Sequence, residues 1–138
     1  FAAEHIAGLA PQPLDYNAMP RAVYCNPQIA SIGLTEKEAT DKGYSVKVGR
    51  FPFLANGKSL TADEREGFVK IVGEANTGEL LGAHLIGHEV TELLGELSLT
   101  RALDGTTQEL GGLVKAHPSA SEVIKEAALA TYESALHI

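Results

Sequence analysis

The sequence has one cysteine, one methionine and no tryptophan in 138 residues. A single thiol, Cys25, excludes an internal disulfide, a CxxC redox pair and a cysteine-built zinc site. Basic residues are outnumbered, 11 against 18 acidic, for a net charge of −7. That balance argues against a phosphate-tracking nucleic-acid surface and against an anionic membrane surface, since both reward clustered Lys and Arg. No apolar run approaches the roughly 20 residues that span a bilayer. The first residues, Phe-Ala-Ala-Glu-His, do not form a signal peptide. Neither GxGxxG nor GxxxxGK[ST] occurs among the 14 glycines, so the chain is expected to bind no dinucleotide itself. These features read as a reduced, cytoplasmic chain that contacts neither nucleic acid nor membrane.

What is present is enough for one globular domain: 44% hydrophobic and 21% charged residues in 14.6 kDa. Residues 1–9 read as the end of a helix, with Gly8 as its left-handed terminator. Residues 11–20 hold three prolines and read as a linker, because proline fixes φ and removes a backbone donor. A helix end stranded ahead of a linker, in a chain that does not begin with Met, predicts a piece of a longer protein. Strands are expected at Ala22–Cys25, Gln28–Leu34, 44–53, Phe68–Gly73 and Leu80–Ile86, the last two joined as a hairpin through residues 74–78. Thr35 to Glu38 spells a capping box opening a short helix that stops at Gly43. Residues 54–66 read as polar loop with one helical turn.

The last third changes period. Val90, Leu93, Leu94 and Leu97 fall at i, i+3, i+4 and i+7, predicting one helix from His88 to Leu103. Thr106 to Glu109 caps a shorter helix, and Ser119 to Glu122 caps a final one with Val123, Ala127 and Ala130 on one face. Strands first and helices mostly after them predict an α+β domain built on an antiparallel sheet.

Three places carry candidate chemistry. His84 and His88 are four apart, but they sit on an extended segment broken by Gly87, too far apart to share a metal ion, so no metal site is expected. Cys25, without a base beside it, reads as a small buried hydrophobe. His117 precedes Pro118 and a helix start, with Glu122 in the first turn beyond it. A carboxylate returned to imidazole Nδ1 would fix the tautomer, free Nε2 and favour the imidazolium, which is what general acid–base catalysis needs. The same spacing serves equally well as a helix cap, with Glu122 at the third helical position. Spacing alone does not choose between them.

His117-Pro118-Ser119-Ala-Ser121-Glu122 resembles the His-Pro-Thr/Ser-x-Ser-Glu element that ends flavoprotein disulfide oxidoreductases, in their C-terminal dimerisation domain. Tyr24-Cys-Asn-Pro27-Gln-Ile-Ala30-Ser-Ile-Gly33-Leu-Thr-Glu36, Phe51–Leu60, Gly67-Phe-Val-Lys-Ile and Gly78–Gly87 are similar to further blocks of that family, in the same order. Within it, the Ile29-Ala-Ser31 and Phe51–Leu60 blocks look most like dihydrolipoamide dehydrogenases, ahead of glutathione and mercuric reductases. Three departures stand out: Cys25 for a usual Thr, Gln28 for a usual Glu, and Lys115 where another His is common.

The resemblance implies residues 1–18 as the tail of a flavin-binding domain plus linker, and 19–138 as the dimerisation domain of a homodimer. It implies His117 and Glu122 as a catalytic acid–base pair supplied to the other subunit's redox disulfide, with Pro118 as a contact to that subunit's flavin. FAD and NAD would belong to the parent and not to this chain. Its substrate would be a lipoyl-bearing protein of a 2-oxoacid dehydrogenase or glycine-cleavage complex. A stand-alone interaction module that kept the motif by descent is the alternative.

Overall fold

The structure is a computed structural model that describes residues 1–137; residue 138, the last of the expected domain, lies outside the described residues. Five strands form one antiparallel sheet in the order β1-β2-β5-β4-β3: β1 Arg21–Val23, β2 Gln28–Gly33, β3 Val46–Pro52, β4 Phe68–Glu74 and β5 Leu80–Gly87. The expected α+β architecture is thus the observed one. The β4–β5 hairpin forms where expected, its turn held by the Glu74 carboxylate, which accepts the amides of Asn76 and Thr77 at 2.7 Å each.

Alternation along the strands divides the apolar residues between two faces. Ala30, Ile32, Val69, Ile71, Ala83 and Leu85 point to the main core, where they meet α4 (Leu94–Ala102), α5 (Thr107–Gly112) and α6 (Glu122–Ala130). On the other face, Val72 joins Leu34, Leu81 and Ala39 of the short helix α2 (Glu36–Asp41) in a smaller cluster. Both Thr-x-x-Glu boxes form reciprocally: Thr35 with Glu38 starts α2, and Thr106 with Glu109 starts α5. The N-terminal helix α1 (Ala2–Ile6) ends as expected at Gly8 (φ 79°), with Leu9 N–H donating to the Glu4 carbonyl and Gly8 N–H to that of His5. Among the described residues no helix is long and apolar enough to cross a membrane.

Four expectations need correction. The helix expected from His88 begins at Leu94 instead: Glu89 takes a left-handed φ of 50°, turning the chain off β5, and a 3-10 turn at Val90–Leu93 precedes α4. The apolar spacing survives because that turn still delivers Val90 and Leu93 to the core. Residues 54–66 hold a real helix, α3 (Gly57–Ala62), which Asn56 caps through its side-chain oxygen. The first strand ends at Val23, so Cys25 lies in the following turn, exposed, with its thiol donating to the Pro27 carbonyl at 3.0 Å. Finally, α6 starts at Glu122 and not three residues earlier, so Glu122 is the first helical residue.

Candidate functional site

The start of α6 follows from where its polar groups go. The Ser119 hydroxyl is engaged with the Ser121 hydroxyl at 3.0 Å, so it caps no helical amide. Glu122 still performs half of a capping box. Its Oε2 accepts the Ser119 backbone N–H at 2.8 Å, while Oε1 accepts from His117 Nδ1, also at 2.8 Å. The two readings of this spacing are therefore not exclusive: one carboxylate ties down the turn with one oxygen and the imidazole with the other. With Nδ1–H donating to Glu122, His117 keeps Nε2 free, and its side chain is 77% exposed against 24% for Glu122. Pro118, joined to His117 by a cis peptide, is exposed as well.

Burial pushes the Glu122 carboxyl up, but the Ser119 amide and then His117 outweigh it and hold the group below its ordinary value of 4.5. A depressed carboxylate contributes stability that is present above its unfolded-state value and lost as pH falls through the folded one. The gap in urea midpoint between wild type and Glu122→Gln should accordingly narrow as pH drops below 4.5. A gap constant between pH 7 and pH 3 would contradict these hydrogen bonds.

The turn is braced from a second side. Asn56 is 3% exposed; its Nδ2 donates to the Ser119 carbonyl at 3.1 Å, and its Oδ1 accepts from Ser59 N and Oγ at 2.9 and 3.0 Å. One buried amide thus couples the cap of α3 to the turn that carries His117. Between α3 and α6 lies a cleft of about 430 Å³, lined among others by Phe51, Leu60, Lys115, His117, Glu122 and His137. The Lys115 ammonium is paired with Glu96 of α4 and does not reach out as a free charge.

The other candidates do not come together. His84 lies in β5 and its Nε2 donates to the Leu34 carbonyl at 3.0 Å, whereas His88 is beyond the strand end, 3.7 Å from Glu64 and 3.8 Å from Glu89. Among the described residues no group of three or more His, Cys, Asp or Glu side chains is arranged to hold a metal. Sequence reading missed Asn56 and the pair Glu126–His137. For Asn56 the available signal was the Asn-x-x-Ser spacing of an N-cap; for Glu126 it was its place four residues after Glu122.

Residues 19–128 match the family model for the dimerisation domain of pyridine nucleotide-disulphide oxidoreductases. The chain belongs to that family. Dihydrolipoyl dehydrogenase of Bacillus subtilis is 48% identical over 137 residues, which is 99% of this chain and 29% of that protein. The enzyme of the same name from Chlorobaculum parvum is 50% identical over 134 residues, 97% of this chain and 29% of that protein. Among solved structures, LpdA from Mycobacterium tuberculosis superposes with a TM-score of 0.82 at 25% identity, covering 92% of this chain and 28% of that one. The flavoprotein disulfide reductase RclA from Escherichia coli gives the same TM-score at 21% identity, a likeness of fold. The chain therefore spans under a third of the length of the curated relatives it matches.

Proposed function

We propose that this domain completes the active site of a dihydrolipoamide dehydrogenase, supplying His117 and Glu122 to the redox disulfide of the partner subunit in a homodimer. The single observation that carries the reading is the 2.8 Å Nδ1–carboxylate contact, which leaves Nε2 of an exposed imidazole free to act. On this reading residues 1–18 are the tail of a flavin-binding domain plus linker, and the dimerisation domain begins at residue 19. The parent converts dihydrolipoamide and NAD to lipoamide and NADH, and its substrate is a lipoyl-bearing protein. This chain has no Gly-rich phosphate turn, so FAD and NAD are assigned to the rest of the parent, where they supply the two-electron acceptors.

The chain's own residues do proton work. His117 Nε2 takes the proton of one substrate thiol as its sulfur attacks the disulfide, forming a mixed disulfide and releasing the other sulfur as thiolate. Glu122 holds Nδ1–H and stabilises the imidazolium that results. Pro118, exposed beside it, is assigned to the flavin contact across the interface.

Mixed dimers test the composite site. A full-length subunit carrying His117→Ala, combined with one whose redox disulfide is removed, should regain roughly a quarter of wild-type activity, because random pairing leaves one intact site in half of the dimers. Mixtures as inactive as either variant alone would overturn the arrangement.

Pairing itself should be apolar. Of the leucines on and around α4, Leu94 and Leu97 are buried and Leu93 is packed against the core, while Leu99 is 60% exposed. Leu103, Leu113 and Val114 add exposed apolar surface, and the Lys115–Glu96 pair ties the segment after Leu113 to α4. We expect a homodimer whose mass in sedimentation is unchanged by added salt, although a net charge of −7 per chain opposes association at low salt. A monomer persisting at high micromolar concentration would show that this surface does not pair unaided.

A further inference from the structure

The cleft that holds His117 contains a second imidazole–carboxylate pair. Glu126, one turn along α6 from Glu122, is only 5% exposed, and both of its oxygens are used. Oε2 accepts the Leu136 backbone N–H at 2.8 Å, and Oε1 accepts from His137 Nδ1 at 2.8 Å. A buried carboxylate is costly unless its lone pairs are satisfied, so these contacts hold the segment after α6 back along the helix. Leu136 and His137 thereby become part of the cleft wall facing His117 and Glu122. Two successive turns of α6 each present a carboxylate to a histidine, one arriving from before the helix and one from after it.

We propose that Glu126 and His137 form a positioning pair for His117: anchoring the terminal segment walls the cleft, and pairing the Glu126 charge sets how readily His117 takes a proton. The inference rests on the reading of His117 as the proton acceptor, but its physical content is measurable without turnover.

The charges around His117 can be assigned one by one. α6 contributes Glu122, Lys125 and Glu126; the segment before Pro118 contributes Lys115; the terminal segment contributes His137; α3 brings only Asn56, Gly57 and Leu60. Lys115 is committed to Glu96, and Lys125 donates to the Leu113 carbonyl at 3.1 Å. Glu122 contacts His117 directly, which leaves the Glu126–His137 pair as the balance that a substitution can tip. His137 also lies close enough to favour the ionised form of Glu122. Removing His137 leaves the Glu126 carboxylate uncompensated one turn from Glu122, in the cleft that His117 also lines, which favours imidazolium at His117. Removing the Glu126 charge does the opposite.

The test is histidine-ring NMR on the full chain, with the His117 signal identified by its loss in His117→Ala. His137→Ala should raise the His117 titration midpoint and Glu126→Gln should lower it, each by on the order of half a pH unit at low salt. Gln keeps an oxygen for the Leu136 amide, so that variant changes charge with little loss of packing. The double variant should return the midpoint toward wild type, a cancellation that a merely structural role does not produce. In the full-length reductase the acidic limb of the kcat/KM profile should move in the same directions. Midpoints unchanged within about 0.1 unit, or moving the same way in both single variants, overturn the proposal. If His117→Ala leaves turnover intact, the catalytic reading fails, while the midpoints still decide this one.

Discussion

Replacing His117 by alanine in the full-length reductase is expected to slow reduction by dithiol about 10²–10⁴-fold, the usual worth of a positioned acid–base group. Flavin content should stay normal, because His117 is 77% exposed and no core contact depends on its ring. On the proposed reading the thiol loses its proton to Nε2 as its sulfur attacks, and without that nitrogen only solvent is left to take it. Glu122→Gln should cost less. It removes the charge that stabilises the imidazolium, but leaves an oxygen for either the Ser119 amide or Nδ1–H. Raising pH should partly rescue His117→Ala, since the substrate thiol then ionises without help. If both variants reduce the disulfide at the wild-type rate, Glu122 is only a helix-start tether and His117 its ornament. Equal loss of flavin and activity would point instead to misfolding, which the melting temperature would report.

What the sequence made legible was what is local. Thr35 with Glu38 and Thr106 with Glu109 are three residues apart, and their mutual capping depends on nothing else, so both boxes could be read directly. The β4–β5 hairpin is equally local. Ser119 with Glu122 has the same spacing but half the outcome: the hydroxyl found Ser121 instead, and the helix began later. The same turn is held at the Ser119 carbonyl by Asn56 from 63 residues away, a contact that no window can contain. Helix α3 was read only as a single turn for a related reason. Gly57 and a run of polar residues weaken its periodicity, and its cap works by an amide whose other end is spent on the distant turn. Glu126 drew no notice in the sequence because its partners lie ten and eleven residues further on, in the segment that folds back beyond α6. Cys25 was misread because the strand ahead of it is a three-residue edge with every position exposed.

Gly49 carries the other large effect, and it too depends on elements distant in sequence. It lies mid-strand in β3, opposite Ile71 of β4, where a glycine is normally a loss. A Cβ built there would fall 1.9 Å from the Ala127 carbonyl oxygen and 2.7 Å from the Thr131 amide nitrogen. Both atoms are backbone, so no side-chain rotation can relieve the clash. Helix α6 therefore rests on β3 main chain against main chain, with Ala127 and Ala128 fully buried at the contact. Gly49→Ala must lift the helix, and overpacking of this kind costs about 1–3 kcal/mol or more, a sizeable share of the roughly 5–15 kcal/mol that holds a domain together. The melting temperature should fall by about 3–12 °C. Because Glu122 and Glu126 both ride on α6, the variant should also weaken dithiol reduction below its own melting range. Gly57→Ala is the matched control: its added Cβ meets nothing within 4 Å, and alanine in a helix gains about 0.5–1 kcal/mol over glycine. Melting of Gly49→Ala at the wild-type temperature would mean that α6 does not lie this close to the strand, and that Glu122 is not held where His117 meets it.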